Sequence, residues 1–436
     1  EQARVMDALR TTAIIGRVLE KPPLSAAADA AADDAIETAA DEAPRDDGGG
    51  PSTASGQPAL YYVLAAIPYK LTSWASLPTR MTAVRLLGAL WMAAAAALVA
   101  LLALEFLPGR TWAALVAGCA VALNPVVGFI SAGVTPDPLL MVISTAVLLA
   151  VVRAFRVGLT TRSALVIGGL FGAGIVTKLA FLAFVPPGAV VLAVLAWRSR
   201  DRPQDGGADG TLAALRGTAR AAAPLVAGAV VLPLLYVVWS ALQGLPVRAL
   251  GTATSVLPVD QQKSGNLREE LSYIWQLYLP RVPGQLDQFG FGPLTETWLK
   301  GFTGRYGWLD YAAPDWMIDT ARTLVRVGLV LAVVTVVRFR DRVRAHGLQL
   351  AALAAFTVSL LVVIGHEGYG YRNSTGLVFE QVRYVFPVIG VYALGVVAAC
   401  AAAGRRFAPL LAAATVGLFM VHDLSGVLLT LARYQG

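Results

Sequence analysis

Ten runs of roughly 20 mostly apolar residues dominate this chain, and a run of that length spans the hydrocarbon of a bilayer as one helix. They fall at 84–106, 111–133, 136–156, 162–177, 179–197, 221–242, 317–339, 347–366, 381–403 and 407–430. The fourth and fifth are short and meet at Thr177-Lys178. Composition agrees: 56% of the 436 residues are hydrophobic, 14% are charged, and the mean hydropathy is +0.63. A soluble chain of this size needs more charged surface to cover its domains. The pattern therefore predicts an all-α polytopic membrane protein and excludes an ordinary soluble enzyme, a disordered scaffold and a fibrous protein. Cys119 and Cys400 lie inside apolar runs, with no disulfide framework and no metal-ligand spacing.

The charges give a direction. Arg110, then Arg153, Arg156 and Arg162, then Arg198, Arg200, Arg202, Arg216 and Arg220, then Arg338, Arg340, Arg342 and Arg344, and finally Arg405 and Arg406 occupy five connecting loops. These fifteen residues alternate correctly with all ten runs, so the positive-inside rule places them in the cytoplasm. The formal charge of +7 is then a topology signal, and no nucleic-acid partner is implied. The opposite, outside face receives residues 1–83, the 134–136 turn, Lys178, residues 243–316, the 367–380 loop and the C-terminus. An outside 1–83 requires an earlier span, so the chain is expected to start after a missing first membrane helix, giving about eleven spans in all.

Three non-membrane stretches differ in kind. Residues 23–58 are acidic, Ala/Asp/Gly-rich and without aromatic anchors, which predicts a disordered insertion. Residues 59–76 mix apolar residues with Tyr61, Tyr62, Tyr69, Lys70 and Trp74, which suits an interfacial helix. Residues 243–316 carry eleven aromatic residues beside Arg281, Arg305, Asp287, Glu296, Asp310 and Asp315. Rings beside carboxylates suit sugar recognition, and they equally suit a cap resting on lipid. The resulting organisation is 1–83 as a first outside loop, 84–242 as transmembrane helices, 243–316 as an outside segment, and 317–436 as C-terminal transmembrane helices.

Several short motifs share the outside face. They are Gln57-Pro58-Ala59-Leu60-Tyr61-Tyr62, the turn Thr135-Pro136-Asp137-Pro138, and the hairpin tip Thr177-Lys178-Leu179. Gly304-Arg305-Tyr306-Gly307-Trp308-Leu309 follows, and later Gln381-Val382-Arg383-Tyr384-Val385-Phe386-Pro387. In this order they resemble the GT-C superfamily of membrane glycosyltransferases, and more closely a bacterial branch described as predicted membrane proteins. The resemblance covers about Gln57 to Pro387. It implies an inverting hexosyl- or pentosyltransferase in the bacterial plasma membrane, with its active face outside. Its partners would be a polyprenyl-phosphate sugar donor, a glycan, lipid or protein acceptor of the cell envelope, and the lipid bilayer. The superfamily places a catalytic carboxylate in the first outside loop, often in an Asp-Glu pair. That assigns the role to Glu1 as the second member of such a pair, with Asp7 as the fallback.

The chemistry states what else such a site needs. A carboxylate base takes the acceptor proton. Fixed cations or a divalent metal, Mg or Mn, stabilise the departing phosphate. Lys178, between two apolar half-spans, is either a phosphate contact or a snorkelling residue at a hairpin tip. Arg383 holds the phosphate, pairs with Glu380, or anchors at the interface, with Tyr384 donating a hydrogen bond. Asp137 heads a span, where an acid favours the helix dipole or takes part in acceptor or metal binding. Arg305, Arg372 with Tyr369 and Tyr371, and His366-Glu367 complete the candidates. Arg322 and Arg326 line a polar cavity or pair with Asp319. Two rival readings are a transporter or flippase for a lipid-linked sugar, which would favour broken helices and repeats, and a non-catalytic envelope-assembly subunit.

Overall fold

The computed structural model describes residues 57–199, 208–243 and 266–435, apart from 308 and 310, together with positions 30, 34, 35, 37 and 38. Glu1, Asp7 and the bulk of the 23–58 insertion lie outside the described residues, as do Trp308 and Asp310. Each of the ten apolar runs forms helix. Among the described residues, eight helices are long and apolar enough to cross a membrane, or nine if one bent pair is counted as a single span. The protein is an all-α polytopic membrane protein.

The first described helix, α1 (Leu60–Leu71), has 12 residues. At about 1.5 Å per residue it cannot span a bilayer. Its sequence suggested aromatic residues at headgroup level. Trp74, just beyond it, is 84% exposed, but Tyr61 is fully enclosed and packs edge-on to Tyr62 and against Trp91. The chain then enters α2 (Leu77–Phe106), seven residues earlier than its apolar run suggested, because Pro78 suits a helix's first turn.

The second run is broken. α3 (Thr111–Ala122) and α4 (Pro125–Ser131) are bent by 57°. Asn124 caps α4, its side chain accepting from the Val126 and Val127 amides at 3.0 and 3.1 Å, and Pro125 follows at the first helical position. The cap ends one helix and starts the next in a new direction.

Helix α5 (Asp137–Val157) is the centre of the bundle. Its most apolar stretch is 67% buried, whereas that of α11 (Asp315–Arg338) is not buried at all. Between them in sequence come α6 (Thr161–Ile175), a 3-10 turn at Leu179–Phe184, α7 (Val185–Ser199), α8 (Ala208–Leu242), α9 (Leu267–Tyr278) and α10 (Lys300–Gly304). Lipid is as apolar as a side chain, so close packing holds membrane helices together more than burial does. The crossing of α6 and α8 shows this. A Cβ on Gly168 would lie 2.1 Å from the Leu225 carbonyl oxygen, and one on Gly228 would lie 2.7 Å from that of Leu165.

A two-residue hairpin pairs Arg305–Tyr306 with Tyr311–Ala312, and α11, α12 (Arg340–Ala345) and α13 (Gly347–Thr375) follow. The sequence ended the apolar run at 366 and placed 367–380 in a loop. The helix instead continues through His366, Tyr369 and Arg372 to Thr375 and stops at Gly376, whose φ of 75° suits glycine. A 3-10 segment (Val382–Val388), α14 (Ile389–Ala401) and α15 (Gly404–Gln435) close the fold.

The two ends of the bundle are defined by contacts. At one, the Phe106 ring lies 5.4 Å from His346, Arg156 pairs with Glu105 at 2.7 Å, and Arg338 donates to the Ala402 carbonyl at 3.4 Å. At the other, Arg85 donates to the Ala132 carbonyl at 2.7 Å, near the start of α5. Arg156 and Arg338, from two of the five arginine-bearing loops, thus lie at one physical end, and the candidate site lies at the opposite one; Arg200, Arg202 and the side chains of Arg216 and Arg220 lie outside the described residues.

Candidate functional site

Helix α6 is only 15 residues long, about 22 Å. It stops at Val176, and Lys178 is extended (φ −158°, ψ 137°) before the 3-10 turn begins. The short helix therefore turns back inside the bundle's edge, at the level where α5 starts. The Leu60 amide donates to the Val176 carbonyl at 3.0 Å and fastens α1 onto this turn. Lys178 is carried inward: its side chain is 13% exposed, and its Nζ donates to Asp137 Oδ1.

Asp137 is the hub. Its side chain is 3% exposed. Thr135 Oγ1 donates to Oδ2 at 2.8 Å, and Arg383 Nη1 approaches the same oxygen at 4.0 Å. Arg383 is 33% exposed along its side chain, yet its Nε is buried with no hydrogen-bond partner among the described residues. The Tyr384 ring lies 5.7 Å from Lys178 Nζ and 5.4 Å from the Arg383 guanidinium carbon, a cation–π arrangement for both. One carboxylate thus faces two cations, and the cluster carries a surplus positive charge. Tyr61 backs this corner. Burial, then the neighbouring Tyr62, push its hydroxyl up to about 12, although a hydrogen bond with the Thr135 backbone pulls the other way.

A second polar group stands beside the first. Glu380 is 5% exposed; Tyr273 on α9 donates to its Oε1, and the Phe379 amide donates to Oε2 at 3.2 Å. Burial, together with the hydrogen bond to Glu380, holds the Tyr273 hydroxyl far above its ordinary range. Arg372 sits over the rings of Tyr273 and Phe289 at 5.5 and 5.9 Å and donates to Gln288 Oε1 at 3.1 Å. Asp287 shapes the loop that presents Phe289. Its Oδ1 accepts from the Phe289 and Gly290 amides at 3.2 Å each, which lowers its carboxyl below the usual value. Tyr384 joins the two groups: it lies within electrostatic range of both Asp137 and Glu380, and its ring is 5.4 Å from Phe379.

The structure brings Asp137, Lys178, Arg383 and Tyr384 together as the sequence suggested. Glu380 accepts from Tyr273, and the Arg383–Glu380 pair, one of the alternatives the sequence left open, is not found among the described residues. The other candidates have different surroundings. Arg372 belongs to the Tyr273 group. Arg305 donates to the Glu296 carbonyl at 3.3 Å, and His366, 63% exposed, meets Glu270 at 2.6 Å. Arg322 pairs with Asp319 at 2.7 Å on an exposed face.

A divalent metal does not fit these residues. Asp137 already turns both oxygens toward Lys178, Thr135 and Arg383, and no group of three His, Cys, Asp or Glu side chains converges among the described residues. The arrangement suits an anion placed against Lys178 and Arg383.

Tyr273 and Glu380 were missed as a pair because 107 positions separate them. The available signal was an acid set between Phe379 and Val382 at the start of an apolar run, where a charge has a cost that calls for a reason.

No match is found among curated proteins or among solved structures. A family model does match, over residues 29–392, which takes in the whole of both polar groups. The chain belongs to the family of membrane proteins described as "Predicted membrane protein (DUF2142)".

Proposed function

We propose that this protein is a membrane glycosyltransferase that moves a sugar from a polyprenyl-phosphate carrier to a cell-envelope acceptor. The site would face the outside of a bacterial plasma membrane, because the arginine-rich loops belong to the opposite end. One observation carries the reading: two cations, Lys178 and Arg383, share a single buried carboxylate, and Arg383 keeps a buried Nε–H without a partner among the described residues. A second anion completes that balance. A lipid phosphate brings it in from the bilayer, where the carrier's apolar chain stays.

Each group then has a task. Arg383 offers a planar fork to phosphate oxygens, and Lys178 a point charge. Both stabilise the charge that develops as the sugar leaves. Asp137 holds the two cations at fixed positions, so little reorganisation is needed when the phosphate arrives. Tyr384 offers a ring face and a hydroxyl beside them. The exposed rings of Phe291 and Tyr371, 42% and 37% open, are suitable for the C–H faces of a sugar.

The test is transfer from defined polyprenyl-phosphate pentoses and hexoses by purified protein, with Lys178→Ala and Arg383→Ala variants alongside. The expected result is transfer by the wild type and a loss of about 100-fold or more in each variant. Wild-type rates in both variants would remove the phosphate assignment. Measurable flipping of lipid-linked sugar, with no transfer from any donor, would replace the enzyme by a transporter.

A further inference from the structure

Glu380 is a buried carboxylate that the phosphate argument leaves without a task. Among the described residues its donors are a phenol and a backbone amide, Tyr273 and Phe379, and it forms no ion pair. A carboxylate has about four acceptor positions, so two remain open. A buried acid without a counter-ion is costly, because it has given up its hydration with no opposite charge to replace it. The fold also makes room for it. A Cβ on Gly368 would lie 1.9 Å from Glu380 Oε1 and 2.8 Å from its carboxyl carbon, so glycine on that face of α13 lets the carboxylate lie where it does, and any larger residue would make it move.

Its position relative to the cations is bounded by the chain. Glu380 precedes Arg383 by three residues, so their backbones are at most about 11 Å apart. Tyr384 lies within electrostatic range of both Glu380 and Asp137. Rings stand around Glu380: its neighbour Phe379 contacts Tyr371 at 5.1 Å, and its donor Tyr273 contacts Phe289 at 4.5 Å. A hydroxyl-bearing ring held against such faces presents its hydroxyl to an acceptor oxygen, while a phosphate stays with the cations.

We propose that Glu380 is the base that activates the acceptor hydroxyl, with Tyr273 fixing its orientation; this rests on the glycosyl-transfer reading above. The acceptor proton passes to Glu380 as the acceptor oxygen bonds to the anomeric carbon. The bond from that carbon to the phosphate oxygen breaks, and its electron pair leaves with the phosphate, held by Lys178 and Arg383. Tyr273 is a positioning residue.

The experiment uses the whole protein and a panel of polyprenyl-phosphate pentoses and hexoses, measuring turnover and donor binding separately. Glu380→Gln keeps the size of the side chain and an oxygen for Tyr273. It is expected to lower turnover by about 100-fold or more with donor affinity changed by less than about twofold. Tyr273→Phe is expected to lower turnover by less, and Glu380→Asp to restore part of it. Wild-type turnover in Glu380→Gln, or equal losses of turnover and donor binding, overturns the assignment while leaving the transferase reading in place. If the wild type transfers from no donor, the transferase reading fails and this inference falls with it.

Discussion

The two ends of the bundle treat charge in opposite ways. At the arginine-rich end, the cations stay wet: Arg344 and Asp341 pair at 3.8 Å with side chains 77% and 86% exposed, and Arg156 is half exposed although its partner Glu105 is only 11% exposed. At the other end Asp137 is 3% exposed and Lys178 13%, and Glu380 is almost fully enclosed. An exposed pair gains little from attraction that water screens. A buried charge has already lost its hydration, so its partner decides whether the fold tolerates it. The first end records orientation. The second keeps costly groups for which orientation supplies no reason, and that contrast is the main support for placing the site there.

The comparison can be broken by substitution. The largest effect is expected from Lys178→Ala, which leaves Asp137 buried with the Thr135 hydroxyl as its hydrogen-bond donor and Arg383, at 4.0 Å, as its one remaining cation among the described residues; the cost should be about 3–5 kcal/mol in detergent unfolding. A cost below about 1 kcal/mol would mean that water reaches Asp137 and that the two ends do not differ. Gly368→Ala comes next. The added methyl meets Glu380 Oε1 at 1.9 Å, so a loss of about 1–3 kcal/mol is expected from overpacking. The same substitution at Gly370, on the same helix with nothing near its Cβ, should be harmless, and thermal melts of both variants check the difference. The smallest effect is expected from Arg344→Ala. Losing one ion pair whose side chains are 77% and 86% exposed should cost no more than about 1 kcal/mol. A loss as large as that of Lys178→Ala would erase the contrast.

Much of this was legible in the sequence, for identifiable reasons. Spans follow from twenty-residue apolar runs, and the two ends from arginine spacing, because both are local patterns. Lys178 and Asp137 could be singled out because each is a lone charge at the edge of an apolar run. Their pairing with each other was not legible, since 41 positions separate them and only the short α6 brings Lys178 to the level of Asp137. The bend at Asn124-Pro125 had a local signal that the uninterrupted hydropathy of 111–133 concealed. The continuation of α13 to Thr375 was hidden for the opposite reason. Polar residues from His366 onward look like a loop, but helix propagation carries on until Gly376 supplies the left-handed turn. The Tyr273–Glu380 bond is purely tertiary.

The central claim is that the surplus cation at the buried end holds a lipid phosphate. Its most direct test is equilibrium binding of polyprenyl phosphate, without a sugar, to the wild type and to Arg383→Gln. Arg383 is the more exposed of the two cations, so its replacement spares the Lys178–Asp137 pair and the fold. Loss of a charged hydrogen bond of about 1.5–3 kcal/mol predicts binding weakened at least about tenfold, and raised salt should weaken the wild type more than the variant. Equal affinity in the two proteins at every salt concentration would contradict the claim.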